Sequence, residues 1–406
     1  MKKSAIRFFA LLLPILFIAP SCEPEDDGPI LQTNFYFDID LFAENVKSAL
    51  DGNAVGWAFS ISQKGAFYTS DAGGFAVTVD DAPTSGMAVE HSPTKIQDIA
   101  SVSKTITALC VLRLLQEKGM DVDQKLWNWM PGMPWQHGSG DIPQGEIRAF
   151  LTHTSGIPAT NLDYFSLKSR YFENDTYPDK SYNYTNANYA YMRLVIAYLY
   201  NSLGELDYPL ASVENDVANN GDPESDLEDA INAAYIEAVN KYVFAPCGIS
   251  WKEPKPDGET NPTMNYNFNT ATPGWNKGDM TKFAGSAGWR LSAKDLNNIL
   301  ATLKYTDKIL NEEFKTKMND ELLGWQNDPG IFEGLTGGGV SYGHEGYYED
   351  KYSPNAAAVP QGRGVFTGMT IFPNGVEVAA VVNSLGGTNT MCRVLRTAYD
   401  NAWVQL

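Results

Sequence analysis

At 406 residues, with 43% hydrophobic and 19% charged side chains, the chain has a globular composition and the length for a large core, which excludes a disordered protein. A formal net charge of −19 opposes nucleic acid or anionic lipid as a partner by simple repulsion. The cysteines stand at spacings with no metal-ligand pattern.

Residues 1–22 carry Lys2, Lys3 and Arg7, then the apolar run Phe8 to Ala19, then Pro20-Ser21-Cys22. This is the layout of an export signal, and the run is too short to span a bilayer stably. Cys22 behind small residues predicts lipidation, although Ala19 stands where leucine is usual. The acidic cluster Glu23-Pro24-Glu25-Asp26-Asp27 resembles surface-export signals of some Gram-negative lipoproteins. The expectation is a chain anchored to the outer membrane by a lipid on Cys22, periplasmic or surface-exposed, with no other membrane contact. Residues 23–36 read as a tether and 37–406 as the folded domain.

Asp38 to Leu50 predicts a helix with Leu41, Phe42, Val46 and Leu50 on one side. Val55, Trp57, Phe59 and Ile61 alternate as a strand, Lys64-Gly65 turns, Ala66 to Thr69 returns, and Gly73 to Val79 adds a further strand. From Lys104 to Lys118 the apolar positions Ile106, Leu109, Cys110, Leu112, Leu114 and Leu115 predict a buried helix that Gly119 can end. Pro131 to Pro143 reads as a loop and Glu146 to Thr152 as a short helix, followed by a strong helix from Asn188 to Leu203. Between Leu194 and Asn240 there is no Lys or Arg, and the acidic tract Glu205–Asp229 reads as a solvated insertion. It lacks the glycine and glutamate spacing of a calcium loop. Residues 251–282 are loop-like and suited to shaping a cleft. Ser292 to Leu303 is helical, Gly364 to Val382 reads as two strands around Asn374-Gly375, and Thr388 to Val404 closes as a helix. Strands at both ends and helices between predict an α/β (α+β) fold. An antiparallel sheet is flanked by helices, and a mainly helical lobe at about 105–285 is inserted between its two parts.

Three motifs carry chemistry. Ser101-x-x-Lys104 opens the buried helix, so the hydroxyl and the ammonium share a face at a helix N-terminus that suits an oxyanion. A serine needs a base to become a nucleophile, and a desolvated lysine can serve. A second pair with the same spacing, Ser92 and Lys95, contains Pro93 and no apolar helix behind it, so it reads as a loop. Tyr184-x-Asn186 precedes the next strong helix. A phenol beside an ammonium can lose its proton and relay it, and Asn186 can position Lys104 or a substrate carbonyl. In His344-x-Gly346 the glycine would let a substrate lie close to a strand edge, with His344 as a donor beside it.

In this order the three motifs resemble the penicillin-recognising serine hydrolases, in particular the class C β-lactamase-related family with its esterases and D-stereospecific peptidases. The resemblance runs from about residue 40 to the C-terminus. It extends to Leu151-Thr152-His153-Thr154-Ser155-Gly156-Ile157-Pro158, to Ala287-Gly288-Trp289-Arg290-Leu291-Ser292 and to Phe372-Pro373-Asn374-Gly375. It implies a β-lactamase/transpeptidase-like fold and Ser101 as the nucleophile of an acyl-enzyme. Lys104 and Tyr184 become the proton-shuttling pair, without settling which is the base. Asn186 would hold the lysine and the acyl amide, and the N–H groups of Ser101 and Tyr347 would form the oxyanion hole. His153 matches a structural signature of the family. No cofactor and no metal are implied, and the partner is a small-molecule or peptide substrate.

Two departures shape the functional expectation. His344 stands where true β-lactamases place lysine, which favours the esterases and peptidases. Glu345 replaces the usual Thr or Ser of the third motif and would repel a substrate carboxylate if it faced the cleft. The expected activity is cleavage of an ester or a peptide or amide bond, esterase or D-aminopeptidase-like. The alternatives are a peptidoglycan DD-carboxypeptidase or weak β-lactamase, and a non-catalytic surface binding protein with the same fold.

Overall fold

Apolar, β-branched runs near both termini meet in one sheet. The structure, a computed structural model, describes residues 34–82, 86–129, 140–173, 175–270, 272–352 and 361–406. Cys22, the signal-like segment and most of the expected tether lie outside the described residues. The long strands are β1 (Gly56–Gln63), β2 (Ala66–Val77), β3 (Tyr342–Glu349), β4 (Gly364–Ile371) and β5 (Val376–Val382). They pair in the order β2–β1–β5–β4–β3, each pair antiparallel. Two tight turns set the registers: Lys64 and Gly65 take φ of 50° and 79°, and Gly375 takes 80°. Every residue of β5 is buried, so helices must cover both faces of the sheet.

The principal helices are α1 (Ile39–Leu50), α2 (Ser103–Glu117), α3 (Asn186–Ser202), α4 (Glu224–Val239), α5 (Ala293–Tyr305) and α6 (Met391–Asp400). On one face Phe42, Val46 and Leu50 of α1 pack with Leu395 and Tyr399 of α6 over Phe59, Ile61 and Val378. On the other, α5 lies over β1 and β5, held at its start by a reciprocal capping box between Ser292 and Asp295. Helix α2 leaves the sheet to pack against α3 and α4, and twelve of its fifteen residues are buried. Gly119, at φ 62°, ends α2 while the Met120 N–H returns to the Leu115 carbonyl at 2.9 Å. At a fully packed position such as Leu109, truncation to Ala would cost about 2–5 kcal/mol.

Five expectations need correction. The two strands predicted across 66–79 are one, β2, because Gly73 lies flat against the Trp57 ring and Gly74, at φ 67°, carries the chain past Gly56. The tether does not reach residue 36, since Phe35–Phe37 pairs antiparallel with Trp403–Gln405. The last helix accordingly stops at Asp400; Phe37, Phe42, Tyr399 and Trp403 bury one another there, which makes the added strand pair worthwhile.

The acidic tract is only partly solvated. Leu210–Asn219 is a surface helix, whereas α4 buries Leu227, Ile231, Ala234 and Tyr235. Its Glu228 is buried too, accepting from the Tyr164 N–H at 3.0 Å and pairing with Lys282 at 2.8 Å. The loop expected up to Pro143 ends in a helical turn, Asp141–Gln144. Among the described residues there is no cluster of three metal-ligating side chains, and no helix is long and apolar enough to cross a membrane. Cys110, Cys247 and Cys392 are buried free thiols.

Candidate active site

Ser101 sits in a 3₁₀ turn, Ala100–Val102, that runs directly into α2. The residue before it, Ala100, takes φ 48°, a left-handed conformation costly for a side chain bearing Cβ. Packing holds it there: Ala100 is buried among Trp275, Met280, Tyr348 and Val365. From behind, Asp98 is fixed by Arg290 at 2.6 Å and by the Asn265 amide at 3.0 Å. Gly346 has a different task from the expected one. A Cβ there would fall 2.2 Å from the Ile99 carbonyl, so the glycine admits the chain's own turn before Ser101 rather than a substrate.

Lys104 is fully buried, and its Nζ contacts three oxygens: Asn186 Oδ1 at 2.7 Å, the Ser286 carbonyl at 2.9 Å and Ser101 Oγ at 3.0 Å. None is a carboxylate. Burial alone therefore pulls its pKa from the usual 10.5 down to about 7. Two of the three partners can only accept, whereas the Ser101 hydroxyl can also donate. When Lys104 loses a proton its two remaining hydrogens stay on Asn186 and Ser286, and the lone pair is left facing the serine hydroxyl.

Tyr184 precedes α3, whose N-cap is Thr185 and whose first residue is Asn186. Its phenol is hydrogen-bonded to Ser101, and its ring centroid lies 4.8 Å from Lys104 Nζ. One ring face is open to the cleft, but burial around the hydroxyl pushes its pKa up, with the Ser101 bond only partly opposing this. The expected phenolate is thus not favoured; a neutral ammonium-free lysine offers no charge to stabilise it. The Asn186 carbonyl oxygen accepts from Lys104, leaving its NH₂ for the cleft.

His153 supports this motif. Its Nδ1 accepts from the Thr185 N–H at 3.2 Å and the Asn188 amide at 3.1 Å, and its ring lies 4.4 Å from that of Tyr184.

His344 and Glu345 lie on β3, at the sheet edge. His344 is buried, and its Nδ1–H donates to the Glu345 carbonyl at 2.6 Å, so Nε2 is an acceptor and not the expected donor. Burial, reinforced by Lys104, lowers its pKa to about 3 and keeps it neutral. Glu345 turns away from the cleft: its carboxylate accepts from the Cys392 N–H at 3.1 Å, in the first turn of α6. Its carboxylate is therefore not presented directly to a substrate, although its charge is still felt at Tyr184.

Along the free edge of β3, Gln326 occupies the Gly343 carbonyl and the Glu345 N–H, both at 2.9 Å. By strand alternation the next outward N–H belongs to Tyr347, directed away from β4. Tyr347 lines a cleft of about 680 Å³ together with Tyr184, Asn186, Phe283, Tyr348 and Tyr352. The structure thus brings Ser101, Lys104, Tyr184, Asn186, His344 and Tyr347 together, with Gly346 as their spacer. Sequence reasoning missed Ser286, because a backbone carbonyl leaves no residue-type signal, and Gln326, which acts from outside every motif. The other Ser-x-x-Lys pair is a loop anchor, with Lys95 on the Asn261 carbonyl at 2.6 Å.

Comparison with known proteins finds likenesses in sequence family and in fold. A family model described as Beta-lactamase matches residues 42–208, a span holding the first two motifs. Penicillin-binding protein 4* of Bacillus subtilis (strain 168) is 32% identical over 120 residues, covering 24% of this chain and 24% of that protein. The matched region is therefore about a quarter of that relative's length. Among solved structures, FmtA from Staphylococcus aureus superposes with a TM-score of 0.61 at 13% identity, covering 92% of this chain and 90% of the other. The D-amino acid amidase of Ochrobactrum anthropi SV3 gives 0.57 at 17% identity, covering 89% and 97%. Residues 42–208 are thus similar to the Beta-lactamase family model, and the superposed structures share this chain's fold of the β-lactamase/transpeptidase type.

Proposed function

We propose that the chain hydrolyses an ester or amide through an acyl-enzyme on Ser101. Lys104 takes the Ser101 proton as Oγ bonds to the substrate carbonyl carbon. The oxyanion is met by the N–H groups of Ser101 and Tyr347. Collapse breaks the bond to the leaving group, which receives the proton from Lys104 through the Tyr184 hydroxyl. Water then adds to the acyl-enzyme, giving its proton to the same pair, and the acid leaves as Ser101 recovers its hydrogen. The observation that carries this reading is Lys104: buried, without a carboxylate among its partners, with a pKa of about 7 and a lone pair aimed at the nucleophile.

The neutral His344 offers no charge to a substrate carboxylate at that position, which supports esters and amides ahead of β-lactams and peptidoglycan C-termini. The test is labelling of the full chain with a fluorophosphonate and, in parallel, a fluorescent penicillin, read by intact mass. Phosphonate labelling is expected to occur on Ser101, to vanish in Ser101→Ala, and to rise with pH to half its maximum near 7. A folded wild type that takes no phosphonate overturns the acyl-enzyme. Labelling by the penicillin as readily as by the phosphonate overturns the preference for a neutral substrate.

A further inference from the structure

The cleft in front of Ser101 has aromatic walls and a charge that is already neutralised. Resting on the acyl-enzyme reading above, we infer that it selects esters or amides whose group beside the scissile carbonyl is uncharged and aromatic, and that Glu349 enforces the exclusion of anions.

Of the described residues lining the cleft, Lys351 is the one that bears a formal charge. That charge is taken: its Nζ lies 2.5 Å from the Glu349 carboxylate, which also accepts from the Tyr347 hydroxyl. His344 adds no charge, and Glu345 lies on the other side of β3. A carboxylate or ammonium entering here would lose hydration without gaining a counter-ion. An uncharged aromatic group has nothing of the kind to lose.

The walls are also pre-formed. Tyr348 stacks on Trp275 with centroids 6.0 Å apart and planes 11° apart, and the buried Lys277 ammonium sits 4.0 Å from its ring centroid. Beside them Phe283 and Met280 line the pocket, packed in the same cluster as Tyr348 and Trp275, while Tyr347 and Tyr352 remain 41% and 59% exposed and present faces that a planar ligand would cover. Glu349 thus does two things at once. It cancels Lys351, and it holds the Tyr347 ring in the wall.

The test uses four methyl esters with one leaving group: methyl phenylacetate, its cyclohexyl analogue, and its 4-carboxylate and 4-trimethylammonium derivatives, followed by pH-stat on the full chain. The expected kcat/KM for the phenyl ester is about tenfold or more above either charged ester, and severalfold above the cyclohexyl ester. Glu349→Gln uncovers Lys351 and should raise the 4-carboxylate ester about fivefold or more relative to the phenyl ester. The double variant carrying Lys351→Gln as well should lose that gain. Equal rates across the four esters, or a Glu349→Gln variant with an unchanged ratio, overturn the inference. Phosphonate labelling of Ser101 in the same preparations separates the two levels: labelled enzyme without selectivity sinks only the inference, whereas folded enzyme without label sinks the acyl-enzyme and the inference with it.

Discussion

Two lysines beside this cleft, Lys104 and Lys277, are both withdrawn completely from water, and their surroundings differ in one respect. Lys277 lies 3.8 Å from Asp98, the carboxylate that Arg290 also holds, and beneath the Tyr348 ring. Lys104 meets only neutral oxygens. Burial is the largest influence on each and lowers both pKa values, but at Lys277 the Asp98 charge works against it. The lesson is that burial alone does not make a base. A buried lysine given a counter-ion becomes a strut in a wall; one denied it becomes a proton acceptor near neutral pH.

Exchanging the partners of these lysines breaks the comparison most sharply. Lys104→Met should lower kcat/KM by about 10³–10⁴-fold, because the serine loses its base. The same variant should be more stable than the parent by about 1–3 kcal/mol in urea at pH 6, since a buried, unpaired ammonium is removed. The sign follows from linkage. The folded-state pKa of about 7 lies below the unfolded 10.5, so the wild type gains stability as pH rises from 7 toward 10 and the variant does not. A variant that is inactive and less stable at pH 6 contradicts the assignment.

Lys277→Met should show the reverse pattern. Asp98 keeps Arg290 but loses a second buried partner, and the Ala100 turn loses its backing, so stability should fall by about 1–3 kcal/mol. Activity per folded molecule should change less than about tenfold, and the midpoint of the pH–rate limb should stay near 7. A shift of that midpoint by a full unit would show that the two lysines act as one system.

Glu377 sharpens the comparison from the acidic side. It is buried on β5, held by the Gly65 N–H at 3.1 Å, and burial raises its pKa from 4.5 to about 7. Its ionisation therefore destabilises the fold progressively as pH rises from about 4.5 through 7. Glu377→Gln should gain about 1–2 kcal/mol at pH 8 and little at pH 4, measured by thermal melts at both values. Equal effects at the two pH values would mean that the carboxyl is not perturbed.

The sequence was most legible where one element carried both its own periodicity and its own punctuation. Helix α2 is such a case, with apolar spacing from Ile106 to Leu115 and Gly119 at its end, and so is the Asn374-Gly375 hairpin. It misled where two elements far apart supplied each other's reason to exist. The strand Phe35–Phe37 forms only because Trp403–Gln405 is there to pair with it, and α4 is a core helix only because α2 and α3 bury its apolar side despite its acidic composition. At the site, residue types and their order pointed to Ser101, Lys104, Tyr184 and Asn186. They did not reveal the neutral His344, the outward turn of Glu345, or the room Gly346 gives to the turn before Ser101.

What the sequence determined by itself was the inventory and its order: a serine three residues from a lysine at a helix mouth, a tyrosine and an amide before the next strong helix, a histidine and a glycine on a late strand. Those are local features, fixed by spacing along one chain. Tertiary structure alone decided which charges survive. The pKa of Lys104, the masking of Lys351 by Glu349 and the pairing of Lys277 with Asp98 depend on which groups converge from distant segments and how much water they exclude.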